Sequence, residues 1–240
     1  MVEEGVTQAV TTLSRGDNPE VRQDCARCLA NLSTNEENHG AIYRLGGMLA
    51  LIGLTDSPDD VTQRYASLGL RFLSASAEVR TAVVRDGLLR PFVALSESPL
   101  LEYRRTAAAA LASFSLAAAA RQRLSRDGAL PCVIRGTAAP DLEIARTSAF
   151  ALANLADSPE LHGDLVRAGA VEALAAAGGH ADARVQRDAA RALACVSASV
   201  AEELRDSLVD RGALPALFAL ARSLDLTSQS YVNMVFISVA

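Results

Sequence analysis

Arg64, Arg105, Arg146 and Arg187 recur every 41 residues, and Gln23 holds the equivalent place one period earlier. A guanidinium is permanently charged and presents a planar fork of N–H donors that matches a carboxylate or a phosphate. A row of them at fixed spacing has two readings. It is a basic stripe for an acidic or phosphorylated partner segment, or a solvated helix face copied by duplication. Arg27 and Arg191 add charge beside the row, while Asp24 and Asp188 offset it.

Other reactive side chains are sparse. Cys25 and Cys28 form a lone C-x-x-C with no second pair and no histidine at ligand spacing, so two small core residues on one helix face are the plainer reading. His39 and His162 share a column whose other members are Arg80, Arg121 and Arg205, which marks a structural basic position and no metal site. His180 falls in a turn. The carboxylate pairs Glu36/Glu37, Asp59/Asp60 and Glu202/Glu203 are adjacent in sequence at helix starts, where they complement the dipole. The chain has no nucleophile motif, phosphate loop or zinc-protease signature, and Gly178-Gly179 follows no strand. No enzyme activity and no cofactor is expected.

The elements that carry these residues are set by the same period. Leu29, Leu70, Leu111, Leu152 and Leu193 stand 41 apart. A small residue three before each (Ala26, Ser67, Ala108, Ala149, Ala190) and an apolar one three after (Leu32, Leu73, Phe114, Leu155, Val196) complete one stripe of a helix. Pro58, Pro99 and Pro140, followed by Asp59, Glu102 and Asp141, are helix-start signals. Two further helices fill each unit. A short one ends at Gly46, Gly87, Gly128 or Gly169, as in Glu78–Asp86 and Glu160–Ala168, and Gly212 arrives two residues late. An apolar one follows: Met48–Leu54, Leu89–Leu95, Ala129–Ile134, Val171–Ala176 and Leu214–Leu224. A period near 40 means stacked units that bury their apolar faces on one another. The fold class is all-α, a solenoid formed by a single array over 1–240: a partial unit 5–33, then units 34–74, 75–115, 116–156, 157–199 and 200–240.

Composition agrees. Half of the 240 residues are hydrophobic, 4% are aromatic and none is Trp, so the core is built from Leu, Val and Ala. Net charge is −5, which excludes a general nucleic-acid footprint. All 23 basic residues are Arg, a pattern that reads as genome composition. Four Cys are too few for a disulfide framework. No apolar run reaches membrane-spanning length, and Met1–Gly5 carries Glu3 and Glu4 with no basic signal-peptide region. These features favour a cytoplasmic location.

The stretches Val21-Arg22-Gln23-Asp24-Cys25-Ala26-Arg27-Cys28-Leu29-Ala30-Asn31-Leu32-Ser33 and Ser148-Ala149-Phe150-Ala151-Leu152-Ala153-Asn154-Leu155-Ala156 carry a recurring A-x-x-L-x-N-L-[SA] element. Asp127-Gly128-Ala129-Leu130-Pro131 and Arg211-Gly212-Ala213-Leu214-Pro215 carry a recurring G-A-L-P. In these elements the whole chain resembles the armadillo-repeat family. The resemblance implies a right-handed superhelix of three-helix units whose third helices line a concave groove for extended peptides. It implies that Asn31 and Asn154 hydrogen-bond a peptide backbone. The other rungs of that column are Phe72, Ser113 and Cys195. The nuclear-import adaptors of the family place Trp four residues before the Asn; here that column reads Arg27, Leu68, Ala109, Phe150 and Arg191.

The expected groove wall is therefore Asp24–Leu32, Tyr65–Leu73, Thr106–Phe114, Thr147–Leu155 and Asp188–Val196, with the arginine column on its flank. The expected function is a non-catalytic scaffold or adaptor that holds an extended protein segment, acidic under the basic-stripe reading of the arginine column. The alternative is a fixed structural subunit of a larger cytoskeletal or ciliary assembly. Tyr231, Val232, Met234, Val235, Phe236, Ile237 and Val239 would wrap the last helix in apolar side chains, so further repeats or another chain are expected to cover that end.

Overall fold

Five of the long helices open on a side-chain cap placed by the period. Asn18 accepts from the Glu20 and Val21 N–H groups, Asp59 from Thr62 at 2.7 Å, Asp141 from Ile144 at 3.1 Å, Asp182 from Val185 at 3.3 Å and Asp225 from Ser228 at 3.1 Å. Each bond satisfies a first-turn donor that has no partner within its helix. The computed structural model describes residues 4–198, 217, 218, 221 and 225–239. Gly212, Arg205, Glu202/Glu203 and most of the helix expected at Leu214–Leu224 lie outside them.

By its internal contacts the chain divides into two units, Met1–Phe114 and Ser115–Ala240. The first holds α1 (Glu4–Leu13), α2 (Pro19–Leu32), α3 (His39–Arg44), α4 (Gly47–Leu54), α5 (Asp60–Ala75), α6 (Ala77–Asp86), α7 (Arg90–Ser96) and all but the last residue of α8 (Leu101–Ser115). In it α2 packs on α1, α4 and α5, and α3 packs on α4 and α6. The second holds α9 (Ala118–Arg126), α10 (Ala129–Gly136), α11 (Leu142–Ala156), α12 (His162–Arg167), α13 (Ala170–Gly178), α14 (Ala183–Ala198) and α15 (Leu226–Val239). In it α11 packs on α10, α13 and α14, and α14 on α15. No strand occurs among the described residues. The repeating set is long helix, short helix, apolar helix, and the architecture is an all-α, armadillo-like repeat fold.

The leucine column is the core. Leu29, Leu70 and Leu152 are 0% exposed, Leu193 1% and Leu111 2%. The small residues three positions earlier lie against it, and Ala26, Ala149 and Ala190 are fully buried. The basic column of the short helices closes the long ones. His39 Nε2 donates to the Ser33 carbonyl at 2.7 Å and His162 Nε2 to Ala156 at 2.7 Å. Arg80 donates to Ala75 and Arg121 to Ser115. Each satisfies a carbonyl at a helix C-terminus.

Gly46, Gly87, Gly128 and Gly169 adopt φ between 75° and 88°. A side chain in that region clashes with its own backbone. A Cβ on Gly128 would meet nothing within 4 Å. Gly128→Ala is therefore expected to cost about 1–2 kcal/mol from backbone strain alone, read as a lower denaturant midpoint at unchanged slope. The terminal helix is less uniform than its sequence suggests. Ser228, Val232 and Val235 are buried, while Leu226 is 77% and Met234 54% exposed.

Candidate binding face and the arginine column

The third helices α2 and α5 set side by side a row of side chains at helical spacing. Arg27 lies 5.4 Å from the ring centre of Tyr65 and 3.7 Å from Asp24. Asn31 is exposed, and its amide has no hydrogen-bond partner among the described residues. Leu68 is exposed and Phe72 half-buried on the same stripe of α5. On α8, Ser113 is turned into the fold, donating to the Ser74 carbonyl at 2.6 Å and accepting from Arg80 at 3.2 Å.

The second unit arranges the same columns differently. Asn154 is 4% exposed and both ends of its amide are engaged. Its Nδ2 donates to Ser115 at 2.9 Å and its Oδ1 accepts from Arg191 at 2.8 Å. Arg191 also reaches Asp157 at 3.2 Å and Asp188 at 3.9 Å, and lies 5.8 Å from the ring centre of half-buried Phe150. The Cys195 thiol faces Asp157 and is pushed up to about 11, chiefly by burial. Of the two asparagines, Asn31 alone presents its amide to solvent.

The arginine column meets the helix caps. Gln23 donates to Asp59 at 3.2 Å. Arg146 pairs with Asp182, and Arg187 with Asp225 through two bonds of 3.0 and 3.2 Å. In each case the acceptor is the cap of the following long helix, so one carboxylate serves both a guanidinium or amide and a first-turn N–H. The guanidinium holds Asp182 down to about 2 through its hydrogen bond, and Arg187 does the same to Asp225. Arg105 bonds Glu102 at 2.8 Å. Arg64 is exposed. The sequence shows Arg146 and Asp182, and Gln23 and Asp59, 36 residues apart, which is the signal for these contacts.

The pairing fixes a pH dependence. A carboxylate whose folded pKa is depressed stabilises the fold above its unfolded value and loses that contribution as protons bind. For Asp182 and Asp225 the loss runs from about pH 4 down to about pH 2. Arg146→Ala is expected to raise the Asp182 carboxyl midpoint toward its ordinary value and to flatten that part of the acid limb. Carboxyl NMR titration beside denaturant midpoints at low pH checks both.

The remaining chemistry is quiet. Burial raises the Cys25 and Cys28 thiols, which disfavours the reactive thiolate. Among the described residues no cluster of three or more His, Cys, Asp or Glu could hold a metal ion, and no helix is long and apolar enough to cross a membrane.

No protein-family model and no curated protein matches the chain. Solved structures do. An engineered protein of a structural genomics consortium is 27% identical over 98% of this chain and 96% of its own, at a TM-score of 0.81. Computationally designed armadillo repeat proteins for modular peptide recognition superpose at a TM-score of 0.86, with 23% identity over 97% of this chain and 99% of theirs. A designed armadillo repeat protein in complex with the peptide (KR)4 gives 0.82, with 21% identity over 98% and 99%. The chain is similar in fold to these armadillo repeat arrays.

Proposed function

We propose that the chain is a non-catalytic protein-binding scaffold, and that α2 and α5 hold an extended partner segment. The carrying observation is the unengaged Asn31 amide among Arg27, Tyr65, Leu68 and Phe72. An exposed amide offers a donor and an acceptor to a peptide backbone, and the flanking rings and aliphatic chains offer area for side chains. The likeness to arrays designed for modular peptide recognition, and to one in complex with the peptide (KR)4, supports the reading. Asn154, held between Ser115 and Arg191, supports the fold in this reading.

The two asparagines test it in opposite directions. Peptides selected on the purified chain from a random display library should lose about 2- to 10-fold in affinity on Asn31→Ala, with melting unchanged. Asn154→Ala should leave those affinities alone and cost about 1–3 kcal/mol in stability, because it removes a buried amide that donates to Ser115 and accepts from Arg191. Peptide affinity indifferent to Asn31 would remove this face from the function.

A further inference from the structure

One arginine of the column has no acid to hold. The register that puts Asp59, Asp141 and Asp182 at the starts of their helices puts Leu100 before α8. Arg146 reaches its aspartate 36 residues ahead; 36 residues ahead of Arg64 stands Leu100. Arg64 accordingly has no hydrogen-bond or ion-pair partner among the described residues. Leu100 and Leu101 are left 39% and 37% exposed. With Arg64 and Tyr103 they line a cavity of about 310 Å³ whose wall also carries Asp60 and Glu102. The Tyr103 hydroxyl donates to the Thr55 carbonyl at 2.9 Å, which fixes that ring as a rigid wall.

We propose that this cavity is a docking site for one acidic side chain of an extended partner segment, with an aliphatic side chain beside it. The proposal rests on the scaffold reading above and names the partner's chemistry. The partner's carboxylate takes the place against Arg64 that Asp182 takes against Arg146 and Asp225 against Arg187. The aliphatic neighbour covers Leu100 and Leu101, apolar surface that is otherwise left in water. Asp60 and Glu102 set the selectivity. Glu102 is held by Arg105 at 2.8 Å, yet both carboxylates face any ligand in the cavity. One negative charge at Arg64 is matched; a run of acids, or a doubly charged phosphate, meets like charge on both sides.

The chain supplies its own competitor. Leu100→Asp restores the acid that the neighbouring repeats carry. It should raise Tm by adding a cap for α8 and a partner for Arg64, and it should close the site. Random peptides displayed on phage are selected on the full wild-type chain and counter-selected on the Leu100→Asp variant. The survivors are expected to carry one Asp or Glu next to Leu, Ile or Val. The tightest synthetic peptide should weaken about fivefold to tenfold on Arg64→Gln, and as much when its own acid is made the amide. Combining the two changes should cost little more than either. Survivors without an acid, or an amide peptide that loses as much on Arg64→Gln as on wild type, overturn the site. So does a Leu100→Asp variant that melts below wild type. Peptides that depend on Asn31 but not on Arg64 keep the scaffold reading and remove this site, whereas capture of no peptide by wild type removes both.

Discussion

Phe92→Ala is expected to lower stability by about 3–5 kcal/mol. Phe92 lies on α7 and is 0% exposed, as is Phe114 on α8. Their rings meet edge to face, with centroids 5.1 Å apart and planes at 76°. Truncation removes a whole buried ring from water-free surroundings and leaves a void on the face of Phe114. Such a ring pair adds about 0.5–1.5 kcal/mol beyond area, so Phe92→Leu should cost clearly less than the alanine variant but more than nothing. The two alanine variants at 92 and 114 share one cavity and should not add. Chemical denaturation of the two singles and the double checks all three statements. Additive costs would show that the rings do not support one another.

Much of this architecture is legible in the sequence because it repeats. A leucine every 41 residues needs no three-dimensional information to be seen, and the buried positions found at Leu29, Leu70, Leu111, Leu152 and Leu193 follow from helical periodicity. The four glycines were equally plain, since a helix that must stop in the left-handed region selects the residue without Cβ. Element ends were less plain. The helix expected at Leu89–Leu95 spans Arg90–Ser96, and that expected at Val171–Ala176 spans Ala170–Gly178. Glu102, expected as a helix-start acid, does lie in the first turn of α8, where it bonds Arg105.

The site was legible only by residue type. A column of arginines says nothing of what each guanidinium meets, because the partner arrives from the next repeat and depends on how successive helices are offset. The same limit separates Asn31 from Asn154. The residue 37 positions on is Arg191 for Asn154 but Leu68 for Asn31. The residue 39 positions before Asn154 is Ser115, which takes the other end of its amide. One column thus holds an amide tied between two neighbours and an amide left open. Arg187 and Asp225 are 38 residues apart where Arg146 and Asp182 are 36, the same two-residue delay that Gly212 shows. The ion pair survives the insertion because the acid is carried by the helix start and moves with it.

Leu152→Ala is expected to cost about 3–5 kcal/mol, the upper part of the range for a buried leucine. The range exists because some sites collapse onto the void and others cannot. Leu152 is 0% exposed on α11, whose other buried residues include Ala145, Ala149, Ala151, Ala153 and Ala156. α14, packed against it, buries Ala189, Ala190, Ala192 and Ala194. Alanine has no rotamer with which to reach into a cavity, so only backbone shifts could fill one, and helices capped and cross-linked by Asp182 and Arg146 resist them. Leu152→Met, which keeps the volume on a flexible chain, should cost less than about 1.5 kcal/mol. The comparison isolates the cavity, since both variants lose the leucine. If denaturation shows alanine and methionine costing the same, the site relaxes freely and the alanine-rich packing does not hold its shape.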